Sequence, residues 1–515
     1  MSKNVVIIGA GPGGLAASLL LASSGLRVTL LERLPRVGGR TSAHEARGFR
    51  FDTGPTFFLY PQILEEIFAA AGYRLQDHID LIRLDPQYRL IFGAGGKLDA
   101  TPDVGRMERH IAAIAPGDAS ALHRFLADNR TKLNEFRAIL ESPFLSWRDL
   151  CNRDLIRLLP LVRPWLPLES EMRRYFADPR IRLAFCFQSK YLGMSPFRCP
   201  SLFSILSFIE YEYGVFHPVG GCSAIMEAMA QIAKELGVDV RLNEAVQGLD
   251  FTGKRVTGVY TARQRYPADA VVINADFAHA MQRLVPDGLR KRWSNRKIAK
   301  KKFSCSTFML YLGIKGSYPE IPHHSIYVAD DYHRNLHEIE HQHVLSENPS
   351  FYVQNASVTD PTLAPPGHST LYMLIPVTHQ HPNVDWSREY ARYRALALRH
   401  LTKIGIKDID SRICYERILT PTHWQEDYAV HQGATFNLAH NFRQMLHLRP
   451  RNRFEDLESV YLVGGGTHPG SGLPVIFESA RISSRLLIED LQVHAPWVTS
   501  LARGSRQSLT PIKAV

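Results

Sequence analysis

Three glycines near the start of the chain have the spacing that binds the phosphates of a dinucleotide. Val5 to Ile8 form a short β-branched run that predicts a strand, and Gly9, Gly11 and Gly14 follow in the pattern G-x-G-x-x-G. The first glycine allows a tight turn, the second lets the backbone approach a pyrophosphate, and the third lets a helix pack closely on the strand. The free N–H groups at the start of that helix can then bind phosphate.

An acidic residue ends the next predicted strand. Arg27 to Leu31 form a second apolar run, and Glu32 follows it, 18 residues after Gly14. A carboxylate at about this distance accepts hydrogen bonds from the ribose hydroxyls of a dinucleotide. The two motifs together predict a Rossmann-type βαβ unit.

Further motifs link this unit to a known superfamily. Gly38-Gly39-Arg40 and Phe51-Asp-Thr-Gly-Pro-Thr56 follow the acidic strand. The combination resembles the FAD-binding opening of the amine oxidase and phytoene desaturase superfamily, which implies FAD as the cofactor. The resemblance places Gly39 and Arg40 along the diphosphate and ribityl chain, where an arginine makes charge-assisted contacts. It also implies cofactor contacts by Gly54, Pro55 and Thr56 and by the backbone of Val246.

A second glycine-rich segment lies near the other end of the chain. A strand is predicted to end at Val463, and five glycines then fall between positions 464 and 472. A helix is predicted from Leu473, with a proline in its first turn. Its N-terminal dipole would stabilise the negative charge of a reduced flavin. The residues predicted to contact the cofactor here are Gly465, Gly466, Gly472, Leu473, Pro474 and Val475.

Four motifs narrow the resemblance to one group. They are Thr467-His-Pro-Gly-Ser-Gly-Leu-Pro474, Thr359-Asp-Pro-Thr-Leu-Ala-Pro-Pro-Gly367, Tyr213-Gly-Val-Phe-His-Pro-Val-Gly-Gly221 and the Phe51–Thr56 segment. Residues 4 to 491 are similar to bacterial and fungal-type carotenoid desaturases, which include phytoene desaturase and C30 diapophytoene desaturase. The resemblance implies an FAD-dependent enzyme, attached peripherally to a membrane, that introduces conjugated double bonds into a linear, apolar isoprenoid hydrocarbon.

The resemblance leaves the chemistry partly open. A carotenoid isomerase, a saturase and a terminal-methyl oxidase of the same superfamily are alternatives, and a non-catalytic flavin-binding membrane scaffold is another. In the resembling enzymes a polar Asp/Arg group of the helical region is thought to assist the reaction, which implies Asp149, or Asp154 with Arg157, as candidate catalytic residues. The sequence contains no second nucleotide fingerprint, so we expect oxygen or a quinone to reoxidise the flavin.

The predicted fold class is α/β, a Rossmann-type FAD domain with inserted substrate subdomains. The expected segments are FAD-binding residues 1–75, 216–285 and 452–492, a helical substrate or membrane subdomain at 76–215, a strand-rich substrate subdomain at 286–451, and a disordered tail at 493–515. Apolar candidates for a substrate tunnel are Phe203, Leu206, Phe208, Phe308, Leu310 and Leu312.

Charge and cysteine content restrict the setting. The 515 residues carry a net charge of +11, and Arg290 to Lys302 contains eight basic residues and no acid. This basic run predicts either a solvated loop or attraction to an anionic membrane surface, and no recognised module favours nucleic acid. Six scattered cysteines without a C-x-x-C pair indicate a reducing compartment. With no signal peptide and no apolar run near 18 residues, we expect a cytoplasmic protein bound peripherally to the membrane.

Histidines raise the question of a metal. His333, His337 and His341 recur every four residues, which would place them on one face of a helix. Their highly charged flanks are typical of a solvated surface helix, and the resembling family needs no metal. We therefore expect none.

Overall fold

The computed structural model describes residues 2–151 and 153–498, without the side chains of residues 150, 151, 153 and 154. Strands are numbered in chain order: β1 Asn4–Ile8, β2 Arg27–Leu31, β3 Ala43–Ala46, β4 Phe49–Asp52, β5 Phe58–Leu59, β6 Leu81–Arg83, β7 Tyr88–Phe92, β8 Lys97–Ala100, β9 Val215–Pro218, β10 Asp239–Arg241, β11 Val246–Thr252, β12 Arg255–Thr261, β13 Arg265–Pro267, β14 Ala270–Ile273, β15 Ser306–Lys315, β16 His324–Val328, β17 Phe351–Gln354, β18 His368–Val377, β19 Ile413–Leu419 and β20 Val460–Leu462.

The α-helices are α1 Pro12–Ala22, α2 Gln62–Ala70, α3 Val104–Ala112, α4 Ala121–Leu140, α5 Arg153–Val162, α6 Leu168–Met172, α7 Pro179–Ala184, α8 Ser204–Tyr213, α9 Cys222–Glu235, α10 Phe277–Leu284, α11 Asn295–Ile298, α12 Tyr332–His337, α13 Trp386–His400, α14 Ile409–Arg412, α15 Pro421–Glu426 and α16 Leu473–Asp490.

A five-stranded parallel sheet contains the strands that flank both glycine-rich motifs. Its strand order is β10-β2-β1-β14-β20, so strands from the beginning, middle and end of the chain lie side by side. The central strands are short apolar runs that are buried on both faces, as parallel sheets require. Helix α1 packs against both α9 and α16 on one face of this sheet.

A seven-stranded sheet dominates the other half. Its order is β19-β15-β18-β17-β16-β7-β8, and only the β16–β7 pair within it is parallel. The expectation of a helical segment throughout 76–215 is wrong at its start, because β7 and β8 form a hairpin that extends this sheet. Tyr88, Leu90 and Phe92 alternate toward the core, and this period of two is the pattern of a half-buried strand.

Helices α3 to α8 follow that hairpin and surround a second core. Phe125, Phe176, Phe185 and Phe208 lie fully buried within it. No helix among the described residues is long and apolar enough to cross a bilayer.

The structure also corrects two surface expectations. Residues 493–498 of the expected tail are packed, because Ala495 and Trp497 are buried in the core that includes α1, α9 and α16, and the Trp497 indole donates to the Ser24 hydroxyl at 2.9 Å. The rest of that tail, 499–515, lies outside the described residues. In the basic run, Arg290 is buried and donates to the carbonyls of Val285 and Trp293.

Candidate cofactor and substrate cavity

One cavity of about 520 Å³ extends from the carboxyl ends of β1, β2 and β20 to the face of the seven-stranded sheet. Fifteen of the sixteen residues that the sequence predicts as cofactor contacts line it. They are Gly9, Gly11, Glu32, Gly39, Arg40, Gly54, Pro55, Thr56, Val246, Gly465, Gly466, Gly472, Leu473, Pro474 and Val475. The two glycine motifs from opposite ends of the chain therefore meet at one site.

Gly14, the sixteenth predicted residue, does not line the cavity. A Cβ atom at this position would lie 2.1 Å from the carbonyl oxygen of Gly9, well inside van der Waals contact. The Asn274 side chain donates to the same oxygen at 3.0 Å. Gly14 therefore lets α1 approach β1 closely, as the motif predicts, and holds the phosphate-binding turn in place.

Two helices begin at the cavity. Gly11 precedes α1 and Gly472 precedes α16, and neither helix start is capped by a side chain. Each start therefore leaves backbone N–H groups and a partial positive charge available to an anionic ligand. With bare glycine backbone beside both starts, the residues present fit an extended dinucleotide: the start of α1 would hold its phosphates and the start of α16 would hold its reactive ring.

Glu32 is almost fully buried at the rim of this site, with a side chain 5% exposed. Its two carboxylate oxygens accept hydrogen bonds from the backbone N–H groups of Ala10 and Leu34, each at 2.8 Å. Burial raises the pKa of this carboxyl, although the backbone hydrogen bonds oppose the shift. Glu32 thus joins the phosphate-binding turn to the loop after β2. Its remaining lone pairs can accept hydrogen bonds from ribose hydroxyls.

Replacing Glu32 by alanine should weaken FAD retention. The ribose hydroxyls of bound FAD would be buried without their acceptor, at a cost of about 1–3 kcal/mol. This cost corresponds to an increase of about 5- to 150-fold in the Kd for FAD. Titrating apoprotein with FAD and following flavin absorbance measures the change. Glu235→Ala, which removes an exposed carboxylate of α9, is the matched control. Equal affinity in the two variants would contradict the role assigned to Glu32.

Arg40 is held beneath the cofactor side of the cavity. Its guanidinium donates to the carbonyl oxygen of Thr435, and burial lowers its pKa while Asp276 opposes that shift. A Cβ atom on Gly54 would lie 2.6 Å from the Arg40 carbonyl oxygen. The backbone of Arg40 can therefore lie this close to residue 54 only because residue 54 is a glycine.

Apolar and aromatic side chains line the part of the cavity that faces the seven-stranded sheet. Of the predicted tunnel residues, Leu206 lines the cavity. Four others do not line it and are buried in the cores: Phe208, Phe308, Leu310 and Leu312. Phe203 packs at the edge of the second core. The residues that sequence reasoning missed include Phe57, Tyr191, Ile209, Tyr352, Tyr372 and Leu374. Phe57 directly follows the predicted Gly54–Thr56 segment, and this position is the one feature of the sequence that indicates a cavity-lining role for Phe57.

The candidate acid and base residues of the helical region lie elsewhere. Asp149 and Arg157 line a separate cavity of about 700 Å³ beside α4 and α5 and do not line the main one. The Asp149 carboxylate accepts hydrogen bonds from the backbone N–H groups of Leu145 and Ser146, at 2.8 and 2.6 Å. The Asp154 side chain lies outside the described residues. A catalytic role for these residues stays a prediction.

A buried contact between a histidine and an aspartate joins two of the predicted family motifs. The His217 Nε2 atom lies 3.1 Å from an Asp360 carboxylate oxygen, and both side chains are 1% exposed. Asp360 also accepts hydrogen bonds from the backbone of Gly220 at 2.7 Å and from the side chain of Thr362. These contacts join β9 to the segment before β18.

The three regularly spaced histidines, His333, His337 and His341, form no metal site in the described part of the chain. There, no group of three or more His, Cys, Asp or Glu side chains is arranged to hold a metal ion. The rings of His337 and His341 lie 5.0 Å apart, while His333 packs on Phe197.

Comparisons with known proteins also indicate a flavin cofactor. The model of flavin-containing amine oxidoreductases matches residues 12–488. A 4,4'-diapophytoene desaturase (4,4'-diapolycopene-forming) from Methylomonas sp is 40% identical over 96% of this chain and 98% of its own length. An all-trans-zeta-carotene desaturase from Myxococcus xanthus is 39% identical over 95% of this chain and 94% of its own.

Solved structures share the fold. An oxidoreductase from Methanosarcina mazei superposes with a TM-score of 0.60 at 16% identity, over 93% of this chain and 99% of its own. Putrescine oxidase bound to putrescine gives a TM-score of 0.60 at 14% identity, over 96% of this chain and 99% of its own.

Proposed function

This chain belongs to the family of flavin-containing amine oxidoreductases and is an FAD-dependent desaturase of carotenoid biosynthesis, and we propose that it desaturates a linear hydrocarbon of the phytoene or diapophytoene type. The observation that carries this proposal is that one continuous cavity has two different ends. Glycine backbone and two helix starts line one end, and apolar and aromatic side chains line the other. An extended hydrocarbon has no polar group to bind, so burial of apolar surface must supply its affinity.

The residues on each side of the cavity have separate tasks. FAD, when bound, supplies the acceptor for a hydride. The glycine segments and Glu32 orient it, and the aromatic walls orient the hydrocarbon and exclude water. The polyene needs correct register against the flavin more than it needs tight binding, because every buried CH₂ group adds about 0.8 kcal/mol of gross affinity.

The reaction can be tested with purified enzyme. We propose that oxygen or a quinone reoxidises the flavin, since the sequence shows one nucleotide fingerprint. With FAD, liposomes, phytoene or diapophytoene and a quinone, the absorbance of the hydrocarbon should shift stepwise to the red without NADP. Formation of geometric isomers alone, or insertion of an oxygen atom, would contradict the desaturase assignment and support the isomerase or oxidase alternative.

We also propose that the basic run lies at a membrane surface. Five of its cations are exposed: Lys291, Arg296, Lys297, Lys300 and Lys302. Beside them, Trp147 is 63% exposed and shares a groove with Arg292, Lys301 and Leu448. Exposed apolar side chains next to cations are typical of a surface that inserts shallowly into anionic lipid.

Replacing these five exposed cations by glutamine should reduce binding to anionic vesicles. Each cation contributes about 1 kcal/mol near such a surface, so the loss should exceed 100-fold at low salt and shrink at high salt. The control replaces five exposed lysines elsewhere: Lys97, Lys234, Lys254, Lys315 and Lys407. Equal vesicle binding by the two variants, measured by co-sedimentation, would leave the basic run as a solvated loop.

A further inference from the structure

A buried carboxylic acid lies behind the hydrocarbon side of the main cavity. Glu210 is on α8, directly after Ile209, which lines the cavity, and its side chain is fully buried. One carboxylate oxygen, Oε2, accepts hydrogen bonds from the Tyr88 hydroxyl at 3.0 Å and from the Gln188 side chain at 2.9 Å. The other oxygen, Oε1, has no hydrogen-bond partner among the described residues.

Tyr191 stands between this carboxyl and the cavity. Its ring lines the cavity, while its hydroxyl oxygen is buried and has no hydrogen-bond partner in the described part of the chain. Burial, and then the charge of nearby Glu210, raise the pKa of Tyr191 well above its ordinary value. The unpaired hydroxyl of Tyr191 and the unpaired Oε1 of Glu210 are therefore neighbours.

The Tyr191 ring is also close to the cofactor side. Its centroid lies 5.4 Å from that of Phe57, which directly follows the Gly54–Thr56 segment of the cofactor cradle. A hydrocarbon that extends along the apolar walls from the cofactor side of the cavity would pass the Tyr191 ring. Leu206 and Ile209 on this side cannot accept a proton, and the hydroxyls of Tyr352 and Tyr372, which also line the cavity, are already hydrogen-bonded.

We infer that Tyr191 and Glu210 form a proton relay that takes the proton released when the hydrocarbon is desaturated. This inference rests on the proposed function. Desaturation removes a hydride from one carbon and a proton from its neighbour, and FAD, when bound, would supply the hydride acceptor. The neighbouring C–H bond breaks and its electron pair becomes the second bond of the new C=C. Its proton binds to the Tyr191 oxygen, while the hydroxyl proton of Tyr191 passes to Glu210 Oε1.

The surroundings of Glu210 suit a proton acceptor. The groups that face it are Tyr88 on β7, Gln188 and Tyr191 on the short 3₁₀ helix Phe187–Leu192, and Tyr211 on α8. None of these groups is charged at neutral pH. Burial raises the pKa of Glu210 to about 7, although the hydrogen bonds from Gln188 and Tyr88 and the nearby Tyr191 hydroxyl oppose the shift. Because only the ionised form accepts a proton, the desaturation rate should rise with pH through about 7.

Anaerobic bleaching of the flavin by substrate tests the relay. In the FAD-loaded enzyme on liposomes, Tyr191→Phe and Glu210→Gln should each slow bleaching by about 100-fold or more. Glu210→Gln should also abolish the rise with pH, and Glu210→Asp should restore part of it. The control is Tyr211→Phe, which removes a hydroxyl of the same cluster, 3.2 Å from Tyr88, that does not line the cavity.

An independent measurement uses apoprotein without FAD. Infrared difference spectra across pH 7 should show a buried carboxylic acid that titrates in the wild type and in Tyr211→Phe, and that is missing in Glu210→Gln. Relay variants that bleach flavin as fast as the wild type, with an unchanged pH profile, would overturn the relay and leave the desaturase assignment intact. A wild-type enzyme whose flavin neither hydrocarbon bleaches would overturn both.

Discussion

Gly14→Ala should destabilise the protein by about 3 kcal/mol or more and abolish FAD binding. The added methyl group would lie 2.1 Å from the Gly9 carbonyl oxygen, which belongs to the backbone and is already fixed by Asn274. Neither partner can rotate away, so α1 must move off β1, and such overpacking ordinarily costs about 1–3 kcal/mol even where side chains can adjust. Urea unfolding of apoprotein and FAD titration measure the two effects separately.

Gly117→Ala is the matched control for this substitution. No atom lies within 4 Å of the Cβ that it would add, and the backbone there is not left-handed. Its unfolding midpoint and FAD affinity should therefore stay near those of the wild type. If Gly14→Ala unfolds at the same urea concentration as Gly117→Ala, the close contact between α1 and β1 is not a constraint on the fold.

Asp360→Asn should destabilise the protein by about 3 kcal/mol, because a buried hydrogen bond to a charged acceptor contributes about 1.5–3 kcal/mol and His217 would then face an amide. An asparagine also replaces one acceptor oxygen by a donor, next to the Gly220 N–H and the Thr362 hydroxyl. Chemical unfolding at neutral pH measures the loss. The control is Asp239→Asn in an exposed pair with Arg241, whose loss should cost at most about 1 kcal/mol.

The difference in unfolding free energy between the wild type and Asp360→Asn should depend on pH. Burial opposes its ionisation, but the hydrogen bonds from His217, Thr362 and Gly220 outweigh burial and hold its pKa well below the usual 3.8. The stabilisation is then present above the unfolded-state pKa and is lost as pH falls through the lower folded-state pKa. The difference between wild type and variant should therefore shrink as the pH falls below about 3.8. A difference that is constant with pH would show that Asp360 acts without its charge.

The sequence could predict which glycine segments meet at one end of the cavity, because the signals for these segments are local. Gly9, Gly11 and Glu32 have roles that follow from spacing along 30 residues of chain, and the segment around Gly472 carries its own strand, glycines and helix start. The geometry of such βα turns is fixed by neighbouring residues, so a pattern of types is sufficient to place them.

The hydrocarbon half could not be predicted because its contacts are long-range. Tyr88 reaches Glu210 across more than a hundred residues, and the β7–β8 hairpin joins a sheet whose other strands begin at Ser306. Nothing in the types of Tyr191 or Glu210 separates them from ordinary core and surface residues. The charge pattern likewise could not show that Arg290 is buried while five neighbouring cations are exposed.

The strand order of the parallel sheet has a consequence for biosynthesis. β1 and β2 leave the ribosome first, but β20 at one edge and α16, which packs on α1, come from residues 460–490. At about 5–20 residues per second, roughly 20–90 s pass between the synthesis of β2 and that of β20. Throughout that interval the apolar face of α1 lacks one of its partners. The cofactor-binding half therefore completes its core only after residues 460–490 have been synthesised, and a nascent chain must be kept from aggregating until then.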